Sequence, residues 1–312
     1  KIRDNRCVEM VCDMKEIQIR KNDAGQRLDR FVGKAVPLLP ESLLQKYIRL
    51  KRIKRNGKGA KRDVRLVEGD VLQLYINDEF FERPTEENAW LKIATPRLDI
   101  VYEDENILLA DKKPGVLCHS AGEWSWDTLI SNIQAYLRQS GEWDPKAENA
   151  FTPALCNRID RNTGGIVIAA KNAEALRVLN EKIRERELSK FYLCICLGRP
   201  EPPKGRIECF LRKDSKTNTV RVYHHPVPDG RSAVTLYETL ETRDRLSLVE
   251  VELLTGRTHQ IRASFADMGH PLLGDGKYGV GSVNRRYGEA QQALYSYRLR
   301  FDFPTDAGIL NY

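Results

Sequence analysis

The residues best suited to chemistry stand together in Asn157-Arg158-Ile159-Asp160-Arg161-Asn162-Thr163-Gly164-Gly165, where one carboxylate sits between two guanidiniums. The apolar, β-branched run Ile166-Val167-Ile168-Ala169-Ala170 follows and predicts a buried strand. A rigid strand would thus hold Asp160 at its mouth, with Arg158 and Arg161 beside it. A nearby cation favours the ionised form of a carboxyl group. Such a side chain can serve as a nucleophile or an electrostatic anchor, and is a poor proton donor. Taken alone, Arg-x-Asp-Arg reads first as a structural salt bridge near a glycine turn, because short motifs recur by chance. Two further stretches carry reactive side chains. In Thr255-Gly256-Arg257-Thr258-His259-Gln260-Ile261-Arg262 a helix is expected, with His259 and Arg262 three apart on one face. From Lys190 to Leu197 the chain alternates, predicting a strand with Phe191, Leu193, Ile195 and Leu197 on the core side. Tyr192, Cys194 and Cys196 then lie on the other side. As a bare observation Tyr192 reads as structural.

The elements that must position these groups begin downstream of a different kind of region. Residues 1–13 read as an extension. Residues 14–76 read as a small module: one helix near Gln26–Val36, a second near Glu41–Leu50, an Asn56-Gly57 hairpin turn, and a strand at Val71–Ile76. This module carries 16 Lys and Arg against 7 Asp and Glu, while the rest of the chain is slightly acidic. From Arg49 to Arg65 there are nine basic residues and one acid, Asp63. Arg49, Lys51, Arg52, Lys54, Arg55 and Lys58 form a strip that can neutralise phosphates whatever the base sequence. Basic appendages on near-neutral enzymes suit nucleic-acid partners. Residues 77–97 read as an acidic linker whose Phe80, Phe81 and Trp90 dock on a neighbour. A second domain, 98–312, opens with two short strands. It continues with a helix from Leu129 and the central motif, then a helix capped by Asn172. Several hairpin-connected strands end it. The fold class is α+β, with a mixed, mainly antiparallel sheet in the larger domain.

At 312 residues two domains are expected. The seven cysteines are irregularly spaced, with no Cys-x-x-Cys pair and no histidine in ligand spacing. They suit reduced thiols rather than zinc or a disulfide framework. No stretch approaches the roughly 18 apolar residues of a membrane span, and no secretory signal is visible, so a cytoplasmic protein is expected.

These pieces together resemble the RluA-type pseudouridine synthases. The matching motifs, in order, are Lys113-Pro114-Gly115, Arg158-Ile159-Asp160-Arg161-x-Thr163-x-Gly165, Lys190-x-Tyr192, Thr255 to Arg262, and Gly269-His270-Pro271-Leu272-Leu273-Gly274-Asp275. Two positions depart from the family pattern: Asn157 stands where His is usual, and Gly164 where Ser is usual. The first module is similar to the S-four RNA-binding domain shared by a small-subunit ribosomal protein and several RNA-modifying enzymes. It matches through Gly25-Gln26-Arg27-Leu28-Asp29, the Leu43–Ile48 helix, Ile53-x-x-Asn56-Gly57 and Glu68-Gly69-Asp70. The resemblance implies isomerisation of uridine to pseudouridine in RNA without a cofactor or metal. Asp160 would be the catalytic carboxylate, Arg262 its salt-bridge partner and Tyr192 the residue packed against the target base. Arg158 would enter the RNA, and the motif residues Arg161, Thr163, Arg257, His259 and Gln260 would lie on the substrate side. Large-subunit ribosomal RNA is the expected target, with transfer RNA the alternative, and the protein is expected to be a monomer with no membrane partner. The reading from another class is a non-catalytic RNA-binding or ribosome-assembly factor on the same scaffold.

Overall fold

The structure, a computed structural model, describes residues 14–20, 23–82, 85, 88–120, 125–145, 147, 151–288, 291–305 and 308–311. The expected extension at 1–13, with Cys7 and Cys12, lies outside the described residues. The chain divides into two compact units, Lys1–Pro96 with Gly122–Asp127, and Arg97–Ala121 with Thr128–Tyr312.

The smaller unit contains β1 (Lys15–Gln18), α1 (Leu28–Ala35), α2 (Glu41–Arg49), β2 (Ile53–Arg55), β3 (Lys58–Gly59) and β4 (Val71–Leu74). Its sheet runs β1-β4-β2-β3, all antiparallel. The helical spacing of Leu28, Val32, Leu44 and Ile48 lays one face of each helix on Ile53, Leu72 and Leu74 of the sheet. Each such side chain withdrawn from water contributes about 1.5–3 kcal/mol. Asn56 and Gly57, both at positive φ, form the two-residue turn between β2 and β3 that their types favour. In the segment 77–97, two short turns of 3-10 helix, Asp78–Phe81 and Ala89–Lys92, bring Phe80 and Leu91 into this same core. These two turns are therefore packed on the core.

The larger unit is built on one ten-stranded sheet. In chain order its elements are β5 (Ile100–Glu103), β6 (Ile107–Lys112), α3 (Leu129–Ser140), β7 (Ala154–Leu155), β8 (Gly164–Ala170), α4 (Ala173–Arg184) and β9 (Ser189–Leu197). Then come β10 (Lys204–Asp214), β11 (Thr219–Tyr223), β12 (Arg231–Arg243), β13 (Leu246–Leu253), α5 (Gln260–Asp267), α6 (Gly281–Tyr287), β14 (Leu294–Arg300) and a hairpin of β15 (Asp302–Thr305) and β16 (Gly308–Asn311). The strand order is β11-β10-β12-β13-β9-β14-β8-β6-β5, with β7 beside β8. Among the described pairs only β8 and β14 are parallel. Their approach depends on Gly165, at φ +113, because a Cβ there would lie 2.1 Å from the Ser296 carbonyl oxygen. Thr128 and Asn172 cap α3 and α4 by accepting hydrogen bonds from the amides of Ser131 and Ala175.

The two faces of β9 are the reverse of the expected assignment. Tyr192, Cys194 and Cys196 are buried, while Phe191, Leu193, Ile195 and Leu197 are half-buried. The cause is tertiary. On the Cys194 side stand Val249 and Val251 of β13, both fully buried, and Leu272 bridges to Cys196. On that face α5 sets Phe265 edge-on to Tyr237 and Ser264 against Cys209. The small thiol side chains leave room for this layer, so the face that looks less apolar in sequence is the one that is covered.

Candidate active site

Asp160 lies on the turn that enters β8, in the larger unit. Its peptide is held on both sides by the segment leading out of β6. The Lys112 ammonium donates to the Arg161 carbonyl at 2.9 Å, and also to the carbonyls of Val116 at 2.8 Å and Lys113 at 3.1 Å. The Cys118 thiol donates to the Ile159 carbonyl at 3.4 Å. The Gly115 amide donates to the Arg161 carbonyl, and Arg161 Nε returns a hydrogen bond to the Gly115 carbonyl. Within the turn, the Thr163 amide donates to the Asp160 carbonyl and Thr163 Oγ1 accepts from Gln292. Asn157 Oδ1 accepts from the Ile168 amide and so ties the start of the turn to β8. Gly164 is matched by Tyr295, whose ring would meet a Cβ at that position at 2.7 Å.

The partners of Asp160 come from far along the chain. Arg262, on α5, donates from Nη1 to Asp160 Oδ2 at 2.8 Å. The same guanidinium grips Asp275 in two-pronged fashion, Nε to Oδ2 at 2.7 Å and Nη2 to Oδ1 at 2.9 Å. Asp275 is fully buried, and the amides of Lys277 and Tyr278 also donate to it. Burial pushes its carboxyl pKa up, but the hydrogen bonds and charge of Arg262 outweigh this, so its pKa lies below the ordinary value. Burial likewise works against the Arg262 cation, and its two carboxylate partners hold it charged. Asp275 fixes the plane of the guanidinium, and that plane aims Nη1 at Asp160. His259 Nε2 stands 3.8 Å from the same oxygen, Oδ2. Its pKa is lowered, first by burial and then by Arg262, against the pull of Asp160, so the ring is neutral. The Asp160 side chain remains 26 % exposed, whereas Arg262 is at 7 %. One side of the carboxylate is thus pinned by buried groups and the other is open.

Tyr192 extends from β9 into this region, 6 % exposed and hydrogen-bonded to Ser296 of β14. Burial, with a smaller push from Asp160, raises its pKa to about 12, so the phenol is neutral. Lys112, 1 % exposed, has its pKa lowered by burial to about 8, against the opposing pull of Cys118 and Asp160. Among the described residues no group of His, Cys, Asp and Glu could hold a metal ion.

Several expected roles change with the geometry. Asp160 is paired with Arg262, with His259 Nε2 at 3.8 Å, rather than with its neighbours; Arg158 is exposed, and Arg161 is tied to the Gly115 carbonyl. His259 precedes α5 instead of lying on it, with a left-handed backbone at φ 51. Gln260 and Thr163, expected on the substrate side, are buried and bonded to protein. Gln260 joins Thr255, Arg257, Val234 and Thr235. Arg257 is half-buried and donates to the Ser232 carbonyl. Lys112, Cys118, Asp275 and Tyr278 were not singled out in the sequence. Asp275 closes the Gly269–Asp275 motif and Lys112 adjoins Lys113-Pro114-Gly115, but their burial is a tertiary fact.

In the smaller unit, Arg49, Lys51, Arg52 and Lys58 are exposed. Lys54 lies over the Tyr75 ring and Arg52 over the Tyr47 ring. Arg55 is different. Its Nε stands 2.6 Å from Asp70, an ion pair not aligned as a hydrogen bond, and Asp70 is buried and also takes Asn56 and the Val67 amide. Arg55 is therefore committed to the fold.

A family model described as RNA pseudouridylate synthase matches residues 106–267. An uncharacterized RNA pseudouridine synthase of Mycoplasma genitalium is 31 % identical over 288 residues, covering 91 % of this chain and 88 % of the relative. The ribosomal large subunit pseudouridine synthase D of Neisseria meningitidis is 30 % identical, covering 90 % and 73 %. Synthase C of Vibrio parahaemolyticus is 28 % identical, covering 93 % and 89 %. Among solved structures, the human RNA Pseudouridylate Synthase Domain Containing 1 superposes with a TM-score of 0.55 at 23 % identity, covering 74 % of this chain and 84 % of that one, which is a likeness of fold.

Proposed function

The chain belongs to the RluA-type family of RNA pseudouridine synthases, and on that premise we propose that it converts uridines of large-subunit ribosomal RNA to pseudouridine with Asp160 as the catalytic carboxylate. The observation that carries the role of Asp160 is its pairing, part-exposed, with the buried Arg262, itself locked by Asp275.

Pseudouridine formation breaks the bond between ribose and the base nitrogen, turns the base, and rejoins it through carbon. The described protein contacts of Asp160 both fall on Oδ2. Oδ1 is then the oxygen presented to the nucleotide. The target must leave its stack, at a cost of about a few kcal/mol. In this reading Arg158, exposed at the start of the turn, enters the RNA to hold the flipped state. Tyr192 packs against the extruded base, an interaction worth roughly 1–3 kcal/mol. Its neutral phenol is a donor rather than a base at neutral pH. The smaller unit, as an S-four-like module, would offset part of the flipping cost through phosphate contacts from Arg49, Lys51, Arg52, Lys54 and Lys58. Ribosomal RNA is favoured because two of the relatives above are named for the large ribosomal subunit.

Tritium release from 5-tritiated uridine, measured on large-subunit ribosomal and transfer RNA transcripts, tests this. Release from the ribosomal transcript is the expected result. Release from transfer RNA alone would overturn the target, and release from neither would overturn the activity.

A further inference from the structure

We propose that Tyr278 is a positioning residue for this reaction: its phenol orients the His259 ring so that Nε2–H faces Asp160 Oδ2 as a second donor. The inference rests on the reading of Asp160 as the catalytic carboxylate. It stands on a chain of contacts that can be followed atom by atom.

The Val220 amide of β11 donates to the Tyr278 hydroxyl at 2.7 Å. A backbone N–H can only donate, so the phenol oxygen accepts there and its own proton is left to give. His259 Nδ1 lies 2.9 Å away, and in the proposed arrangement it accepts that proton. A neutral imidazole that accepts at Nδ1 carries its proton on Nε2. Nε2 is the atom 3.8 Å from Asp160 Oδ2. That separation is long for a hydrogen bond, and gaps of this kind close when substrate is bound. The Tyr278 ring also stands edge-on to His259, with centroids 5.6 Å apart, and the Arg262 guanidinium lies 5.3 Å from its centroid. One tyrosine thus touches both groups that face Asp160. It is anchored in turn by its own amide, which donates to Asp275.

His259 itself is held at φ 51, a conformation that costs a non-glycine residue roughly 1–3 kcal/mol and persists where the surroundings dictate it. A helical His259 would leave the turn that places Nε2 near Asp160. The charged groups facing its ring are Asp160, Arg262, Asp275 and Lys277. Two donors on one oxygen restrain rotation of the carboxylate better than one, which matters while the base is detached and turned beside it.

The test uses the full chain and single-turnover pseudouridine formation, RNA binding, and nitrogen-15 NMR of the His259 ring. In the wild type the ring is expected as the Nε2–H tautomer; an Nδ1–H tautomer overturns the proposal without any variant. Tyr278→Phe keeps the ring and removes the hydroxyl. Its rate should fall about tenfold, as for one lost hydrogen bond, with RNA affinity unchanged and the tautomer preference lost. In a His259→Gln background the same substitution should have no further effect. A wild-type rate in Tyr278→Phe, or a full additional loss in the His259→Gln background, overturns the role. Asp160→Asn separates this failure from that of the site. If Asp160→Asn turns over normally, the catalytic reading falls. If it is inactive while Tyr278→Phe behaves as wild type, only the role of Tyr278 falls.

Discussion

Arg262 serves two carboxylates at once, and the division of labour between them decides what Asp160 can do. Asp275 is buried and meets both remaining nitrogens of the guanidinium, so it is structural charge compensation; a buried cation without it would cost several kcal/mol. Asp160 takes the one Nη1 that points outward. Lys112 works on the other side, through the Arg161 carbonyl rather than through a carboxylate. Its pKa falls from 10.5 to about 8 on burial. Between those two values the unfolded chain binds more protons than the folded one. This group therefore makes the fold more stable as pH rises through that window, and the gain is lost as pH falls through about 8. Urea unfolding of Lys112→Met should show a smaller rise in stability between pH 8 and pH 10.5 than the wild type; an identical rise would refute the assignment. The sequence displayed Asp160 and its local turn plainly. It did not display the partner, because 102 positions separate Asp160 from Arg262 and only the resemblance linked them. The neighbouring arginines looked like partners because adjacency in sequence was the only proximity available.

At the scale of elements, the site depends on the one parallel pair among the described strands. β14 runs beside β8 at Gly164 and Gly165, just after the Asp160 turn, and carries Ser296 to Tyr192. Gly165→Ala would place a methyl group against backbone in a left-handed conformation, and should cost roughly 3 kcal/mol or more of unfolding free energy. At Gly164→Ser the nearest atoms are side chain, the Tyr295 ring at 2.7 Å and Pro114 Cδ at 3.3 Å, and the partly exposed ring can move, so the change should cost only about 1 kcal/mol. Denaturation midpoints of the two variants check this contrast; equal losses would mean that the close approach at Gly165 is not what holds the strands. Most of these strands were legible from alternation and turn residues, as was the cap Asn172 of α4. The inward face of β9 was not, since it is set by α5 and Leu272 arriving from elsewhere. Nor was α6, whose seven residues carry no buried side chain and hence no apolar period.

For the whole molecule, the charge is uneven, with the basic strip in the smaller unit, to which the proposed function assigns the RNA backbone. Replacing Lys51, Arg52, Lys54 and Lys58 together by alanine should weaken RNA binding and lower the slope of log affinity against log salt by about 3–4, if each meets one phosphate. An unchanged slope would exclude the strip as an RNA contact. Arg55→Ala belongs to another class: it strands the buried Asp70 and should destabilise the smaller unit. In the proposed reaction a single open carboxylate performs the isomerisation while other parts of the chain hold the RNA. Its most direct test is pseudouridine formation by Asp160→Asn on a ribosomal RNA transcript, with RNA affinity measured on the same preparation. No detectable pseudouridine with affinity retained is the predicted result. Turnover at the wild-type rate would contradict it.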